Sequence, residues 1–389
     1  MKTPAPFLRA LLAISLLLAA LPAAVLLSAV APASRTGFSW SAAARGRFAL
    51  AQAQDAAPVL SVNEDCTAFA FGPGERIVYA VRHVFGELHF DLERDDFWLH
   101  EPGKKDRKIL NAQRDLVTGQ AFSYVVRGIH WSPDGAKLAA ELFTTTVLDR
   151  RGNTKDQLMT LLFEDNGKEI VIPGSGSLMP DAVNPAWLAD AATLVFLVEE
   201  EKKLHLFSIQ SVRPALGGAH RLFPDAQYLA VAWLEKTGQA LAVKPGPPPI
   251  GKPRLVLLDL ATQEIRELAQ LEGFSGGLSI SPSGKQVAYF RDPEHFEVRA
   301  LADLQHPRTL KLLSGAYYWS PDESRILLKS APARKSGTLQ WVRLSDGSAQ
   351  DLFHGLSVHE VAISPDGLLL GLLSPGKRTL SVYPLAGLR

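Results

Sequence analysis

The sequence predicts an all-β chain: a seven-bladed β-propeller of four-stranded antiparallel blades, closed by an N-terminal strand and preceded by a signal or anchor helix. Three observations predict it: a tight-turn motif recurring at blade spacing, strand-like runs on both sides of each copy, and a last blade one strand short. Four copies of the motif nearly coincide: Trp131-Ser132-Pro133-Asp134-Gly135, Ile280-Ser281-Pro282-Ser283-Gly284, Trp319-Ser320-Pro321-Asp322-Glu323 and Ile363-Ser364-Pro365-Asp366-Gly367. Weaker copies fill the gaps at Phe71-Gly72-Pro73-Gly74, Trp187-Leu188-Ala189-Asp190 and Trp233-Leu234-Glu235-Lys236-Thr237-Gly238. The residues before these turns (71, 131, 187, 233, 280, 319 and 363) stand 39 to 60 residues apart. That range brackets the roughly 40 to 50 residues of a four-stranded propeller blade.

Each motif is hairpin chemistry. Pro presets φ at the first turn position, Asp bonds its own backbone, and Gly takes a left-handed conformation. Strand-like runs flank the turns: Gly128 to Trp131 and Lys137 to Phe143 around one, Val361 to Ile363 and Leu368 to Leu373 around another. A third and a fourth strand follow, as in Leu255 to Leu260 then Glu264 to Leu268, or Leu339 to Leu344 then Ala349 to Phe353. Asp346-Gly347 and Asn166-Gly167 are two-residue turns of the kind that join such strands. The last blade ends after Thr379 to Leu385, leaving no fourth strand. Pro58 to Val62, a short β-prone run before the first blade, is expected to pair with Thr379 to Leu385 and close the ring, since closure protects sheet edges.

On these turns the chain resembles the TolB-like, or WD40-like, propeller repeats, whose signature is an aromatic-Ser-Pro-Asp-Gly turn between the first two strands. The resemblance covers Val59 to the C-terminus and implies a propeller that binds other proteins. It is similar to the repeats and not to TolB as a whole, which looks like six blades behind a small α/β domain. This chain has room for seven blades and for no such domain.

The expected organisation is a signal peptide or membrane anchor plus linker over 1–57 and the propeller over 58–389. Lys2 and Arg9 precede an apolar run from Ala10 to Ala31, long for a signal-peptide core and long enough to span a bilayer. Small-residue cleavage candidates stand at Ala31-Pro32-Ala33 and Ala49-Leu50-Ala51. The run predicts a periplasmic or extracellular propeller, freed by cleavage or tethered to the inner membrane if uncleaved. A net charge of +1 gives no electrostatic footprint for nucleic acid, and no phosphate-cradling Gly-rich loop stands out. Cys66 is the only cysteine, so no intramolecular disulfide and no thiolate metal cluster can form; it reads as a buried strand residue. A monomer is expected, with no cofactor.

In a four-stranded blade the turns after strands one and three share one face of the ring, and those after strands two and four share the other. The repeated turns therefore mark the regular face. Longer connections gather opposite, and loops on a rigid scaffold carry binding residues more often than strands do. The candidates on that loop face are His83, His89, Arg150, Arg151, Lys155, Arg291, His295, Arg334, Lys335, Lys377 and Arg378. Several are basic, which suits an acidic peptide or polysaccharide, although charged loop tips are commonly just solvated. The span Arg82 to Asp95 reads as a long irregular connection. Within it His83, His89, Asp91, Glu93 and Asp95 offer metal-ligand types, but all from one blade, and their alternation with Phe90 and Leu92 also fits a strand with one polar face. No Gly-x-Ser-x-Gly nucleophile elbow is present. The favoured reading is a noncatalytic envelope scaffold for a protein or peptide partner. The alternative is a lyase or lactonase with a metal or substrate site at the channel mouth.

Overall fold

The computed structural model describes residues 57–385 except 88–89, 112–121, 149–152, 172–177, 201–202, 211–218, 225, 248–250, 331–338, 354–357 and 375–377. The N-terminal signal or anchor segment lies outside the described residues. Seven four-stranded antiparallel sheets form seven blades, spanning 66–110, 122–180, 182–222, 230–270, 276–311, 315–353 and 360–384, the last completed by residues 60–62. In each, the first strand ends at a repeat turn: Cys66–Phe71, Phe122–Trp131, Ala182–Trp187, Ala230–Leu234, Gly276–Ile280, Gly315–Trp319 and Glu360–Ile363. Short 3-10 turns replace the full motif at Pro73–Glu75 and Glu235–Thr237.

The turn chemistry is visible atom by atom. Ser132 Oγ donates to Asp134 Oδ1 at 2.6 Å and accepts from Lys137 N at 2.8 Å, while Ser132 N donates to Lys137 O and Gly135 N to Ser132 O. Ser320 with Asp322 and Ser364 with Asp366 repeat the pattern at the same 2.6 Å. Gly135 sits at φ +69°, and Glu323, where Gly would stand, accepts φ +57°.

Hydrophobic packing runs between blades and not only within them. Seven buried clusters each unite two neighbouring blades, and each holds the residue just before a repeat turn: Phe71, Trp131, Trp187, Trp233, Ile280, Trp319 or Ile363. That residue is a wedge. The Trp131 indole N–H reaches Ala70 O, Trp233 reaches Asn184 O, and Trp319 reaches Ser279 Oγ, in each case on the preceding blade. A strand residue on the outer face of one blade is thus core only because the next blade covers it.

Leu60–Val62 lies beside Leu380–Pro384 in antiparallel register, with Leu60 opposite Val382 and Val62 opposite Leu380. Val59 N adds a hydrogen bond to Val382 O at 2.7 Å.

The sequence reading of Arg82 to Asp95 as an irregular connection is corrected. The second strand of blade one runs Ile77–Glu87 and the third Phe90–His100, paired in register from Ile77↔His100 to Glu87↔Phe90. The polar alternation there is therefore strand periodicity in a hairpin that overshoots the blade.

Candidate functional site

At the loop-face end of blade one, charged side chains enter the core. Asp95 is fully buried on the third strand. Its Oδ2 accepts hydrogen bonds from Thr67 Oγ1 at 2.5 Å and from Val126 N, on the first strand of blade two, at 2.7 Å. Tyr124 Oη donates to Asp95 O at 3.0 Å. Arg82 holds Glu93 at 3.0 Å and brings Nε to 3.9 Å from Asp95 Oδ1, too far for a hydrogen bond. Burial pushes the Asp95 carboxyl up to about 6, against the opposing pull of Thr67, Val126 N–H and Arg82. The buried Asp96 beside it pairs with His83 Nε2 at 3.0 Å and with the Lys108 ammonium.

The bridge recurs one blade on. Glu141, on the second strand of blade two, accepts from Asn184 N on the first strand of blade three. Both acceptor carboxylates meet backbone amides at β-bulges of the next blade's inner strand, between Val126 and Gly128 and between Val183 and Ala186. A bulge frees an amide from the ladder, and the carboxylate satisfies it. These acids are interblade staples.

Blade five carries the second charged group. Glu297 is buried, accepting from Tyr289 Oη at 2.5 Å and from Arg299 at 2.8 Å, with Arg291 at 3.5 Å. Arg291 and His295 also hold Asp292, at 3.2 and 2.8 Å. The Glu294 amide, and then His295, pull the Asp292 carboxyl down to about 2.

A third group joins three blades. Lys329, next to last in the second strand of blade six, donates through Nζ to the backbone oxygen of His359, which precedes the first strand of blade seven. Arg378, before the last strand of blade seven, stands 3.8 Å from Asp65. Arg127 occupies the bulge of blade two and covers the Phe143 ring at 5.3 Å. Partial burial, then the charges of Lys329, Arg378 and Arg127, lower the pKa of the His359 imidazole. Among the described residues no carboxylate lies within 4 Å of Arg127, Lys329 or His359, although the charge of Glu360 opposes the lowering of the Lys329 pKa by burial.

The structure thus brings His83 to Asp96, Arg291 and His295 to Asp292, and Arg378 to Asp65, and it leaves Lys155 exposed on the strand Thr154–Glu164. His89, Arg150, Arg151, Arg334, Lys335 and Lys377 lie outside the described residues. No three His, Cys, Asp or Glu side chains among the described residues are grouped to hold a metal. Sequence reasoning passed over Arg127, Lys329 and Glu141, and it weighed Asp95 as a metal-ligand type and not as a staple between blades. Arg127 and Glu141 stand in strands that read as ordinary alternation, and only the register shows what they face.

A scan of protein families finds no matching model, and a search of curated proteins finds no match. Solved structures do match. The chain is similar to the Dos1 propeller (11% identity, TM-score 0.52, covering 86% of this chain and 96% of that one). It is similar to a chain of the Mitotic Checkpoint Complex (12%, 0.51, 89% and 99%) and to the Cps50 (Swd1) β-propeller domain from Myceliophteria thermophila (11%, 0.51, 84% and 99%). At such low identity the likeness is one of fold, and that fold is the β-propeller.

Proposed function

We propose that the protein is a noncatalytic scaffold of the cell envelope, exported or membrane-tethered through its N-terminal segment, that binds a protein or peptide partner on its loop face. The observation that carries the reading is the group of Arg127, Lys329, His359 and Arg378, drawn from three blades to one end of the inner strands. The cations Arg127, Lys329 and Arg378 outnumber the nearby carboxylates Asp65 and Glu360, and a local excess of positive charge favours an anionic guest. A rigid ring presents them at little entropic cost on binding. The neighbours point the same way, since one is a chain of a multiprotein complex. The apolar run from Ala10 to Ala31 supports export.

The test is capture from an envelope extract over a salt series, with wild type beside the double variant Arg127→Glu, Lys329→Glu. A partner retained by wild type at low salt, released as salt rises and lost by the variant is the expected result. No retained partner at any salt counts against the reading. Fractionation with N-terminal sequencing of the mature chain tests the location. A mature start near Ser34 or Gln52 would mean cleavage, and recovery in the soluble cytoplasmic fraction would end the envelope reading.

A further inference from the structure

The repeat turns lie on the face that the strand count made purely structural, yet the ring is incompletely packed there. Between blades four and five a cleft of about 340 Å³ opens beside the Ser281-Pro282-Ser283-Gly284 turn. Its cause is legible in the repeat. Blades two, three, four and six carry Trp before the turn as a wedge against the preceding blade; blade one carries Phe71, blade seven Ile363 and blade five Ile280. In blades one and two, the residue that starts the second strand region is a cation lying over the next blade's Trp: Arg76 over Trp131 at 4.8 Å and Lys137 over Trp187 at 5.9 Å. The equivalent in blade four, just before the residue paired with Trp233, is Gln239. Gln239 and Ile280 thus stand where the first interfaces place a cation and a Trp, and Leu234, Leu257, Leu268 and Leu301 remain only partly covered.

The cleft crosses blade four from its first strand to its fourth, with Trp233 at one end and Arg266 and Leu268 at the other. Neighbouring strands lie about 4.8 Å apart, so the span is about 14 Å, the length of roughly four extended residues. Lys236, in the inner turn, and Arg266, on the outermost strand, stand at the two ends, both exposed. Neither has a carboxylate within 4 Å among the described residues. The nearby acids are engaged: Asp259 accepts from Gln239 Nε2 at 3.3 Å, and Glu323 accepts from Ser283 N. Between the cations, Thr237, Gln239, Ser281 and Ser283 put hydrogen-bonding groups among the apolar side chains of the wall, where a peptide backbone finds partners and an acyl chain finds none.

We propose that this cleft binds an extended segment of another protein, with an apolar centre seated on Ile280 and the leucines and an acidic residue at each end facing Lys236 and Arg266. The site is independent of the loop face, so either reading can fail alone.

The probe is a set of fluorescein-labelled tetrapeptide amides with Asp at both ends and pairs of Leu, Ile, Phe and Trp between, read by anisotropy. At least one should bind saturably, and Ile280→Trp, which installs the wedge that four other blades carry, should weaken it at least about tenfold with an unchanged or higher melting temperature. Lys236→Glu with Arg266→Glu should weaken it as much, and Arg127→Glu on the loop face should leave it unchanged. If Ile280→Trp fails to fold, the Lys236, Arg266 pair decides, because both side chains are exposed. The proposal is overturned if no peptide binds saturably, if Lys-ended versions bind equally well, if dodecanoate binds where the peptides do not, or if binding survives both sets of substitutions.

Discussion

Two side chains test the interior at the scale of single residues. Cys66 is fully buried in the first strand of blade one, and desolvation pushes its thiol up to about 12. Only about one molecule in ten thousand would carry the reactive thiolate at pH 8. Native protein should resist a thiol-specific disulfide reagent that labels it at once in denaturant; native labelling at the free-thiol rate would mean that this strand frays. Asp95 gives a pH dependence of definite sign. Its folded pKa, about 6, lies above the unfolded 3.8, so the folded state holds the proton more tightly. Its stabilising contribution is complete below about pH 4 and lost as pH rises through 6, amounting to about 3 kcal/mol in all. Denaturant melts of wild type and Asp95→Asn should therefore diverge with pH: the stability of wild type relative to the variant should fall between pH 4 and 6 and level off above. A flat difference would place the Asp95 pKa near its ordinary value.

At the scale of elements, the wedge and the end strand carry different loads. Trp187 is nearly completely buried between blades two and three, and Trp187→Ala should cost about 3 to 5 kcal/mol, read as a lower denaturant midpoint. Deleting residues 58–62 would strip the partner from Leu380–Pro384 and expose that ladder as an edge. A clear drop in melting temperature and a broader transition are expected, and an unchanged melt would show that this pairing contributes nothing. What was legible in the sequence follows the same division. Turns were readable because Ser, Pro, Asp and Gly each perform a local task, so Ser132 to Gly135 announces its hairpin without its neighbours. The hairpin over Arg82 to Asp95 was misread because charged alternation looks alike in an exposed strand and a polar loop. Glu141 escaped notice and Asp95 was read as a metal-ligand type because a carboxylate becomes a staple only when the next blade supplies a freed amide. The cleft at Ile280 was written in the repeat, as Ile where four blades have Trp, but its meaning required knowing that this position faces the preceding blade.

At the scale of the whole molecule, every hydrophobic cluster among the described residues belongs to two blades, so neighbouring blades share their cores and the ring should unfold as one unit. Six interfaces follow a covalent connection between consecutive blades. The seventh, between blades seven and one, is crossed by the chain only through Leu60–Val62 in the last sheet, just before Cys66–Phe71 in the first. Deleting residues 58–62 removes a ladder as well as this tie, so it cannot separate the two. A circular permutant can: a flexible linker from the C-terminus to Ala57, with new ends between Leu271 and Ser275, keeps all seven ladders and leaves blades four and five to close by side chains alone. That interface holds the unfilled cleft and no exchanged strand. The permutant should fold and keep the same dependence on denaturant concentration, since the buried area is conserved, but unfold at a lower midpoint. Adding Ile280→Trp should restore part of the loss. An equal midpoint for permutant and parent would mean that the exchanged strand serves only to satisfy an edge, and that packing between blades is sufficient to close the ring.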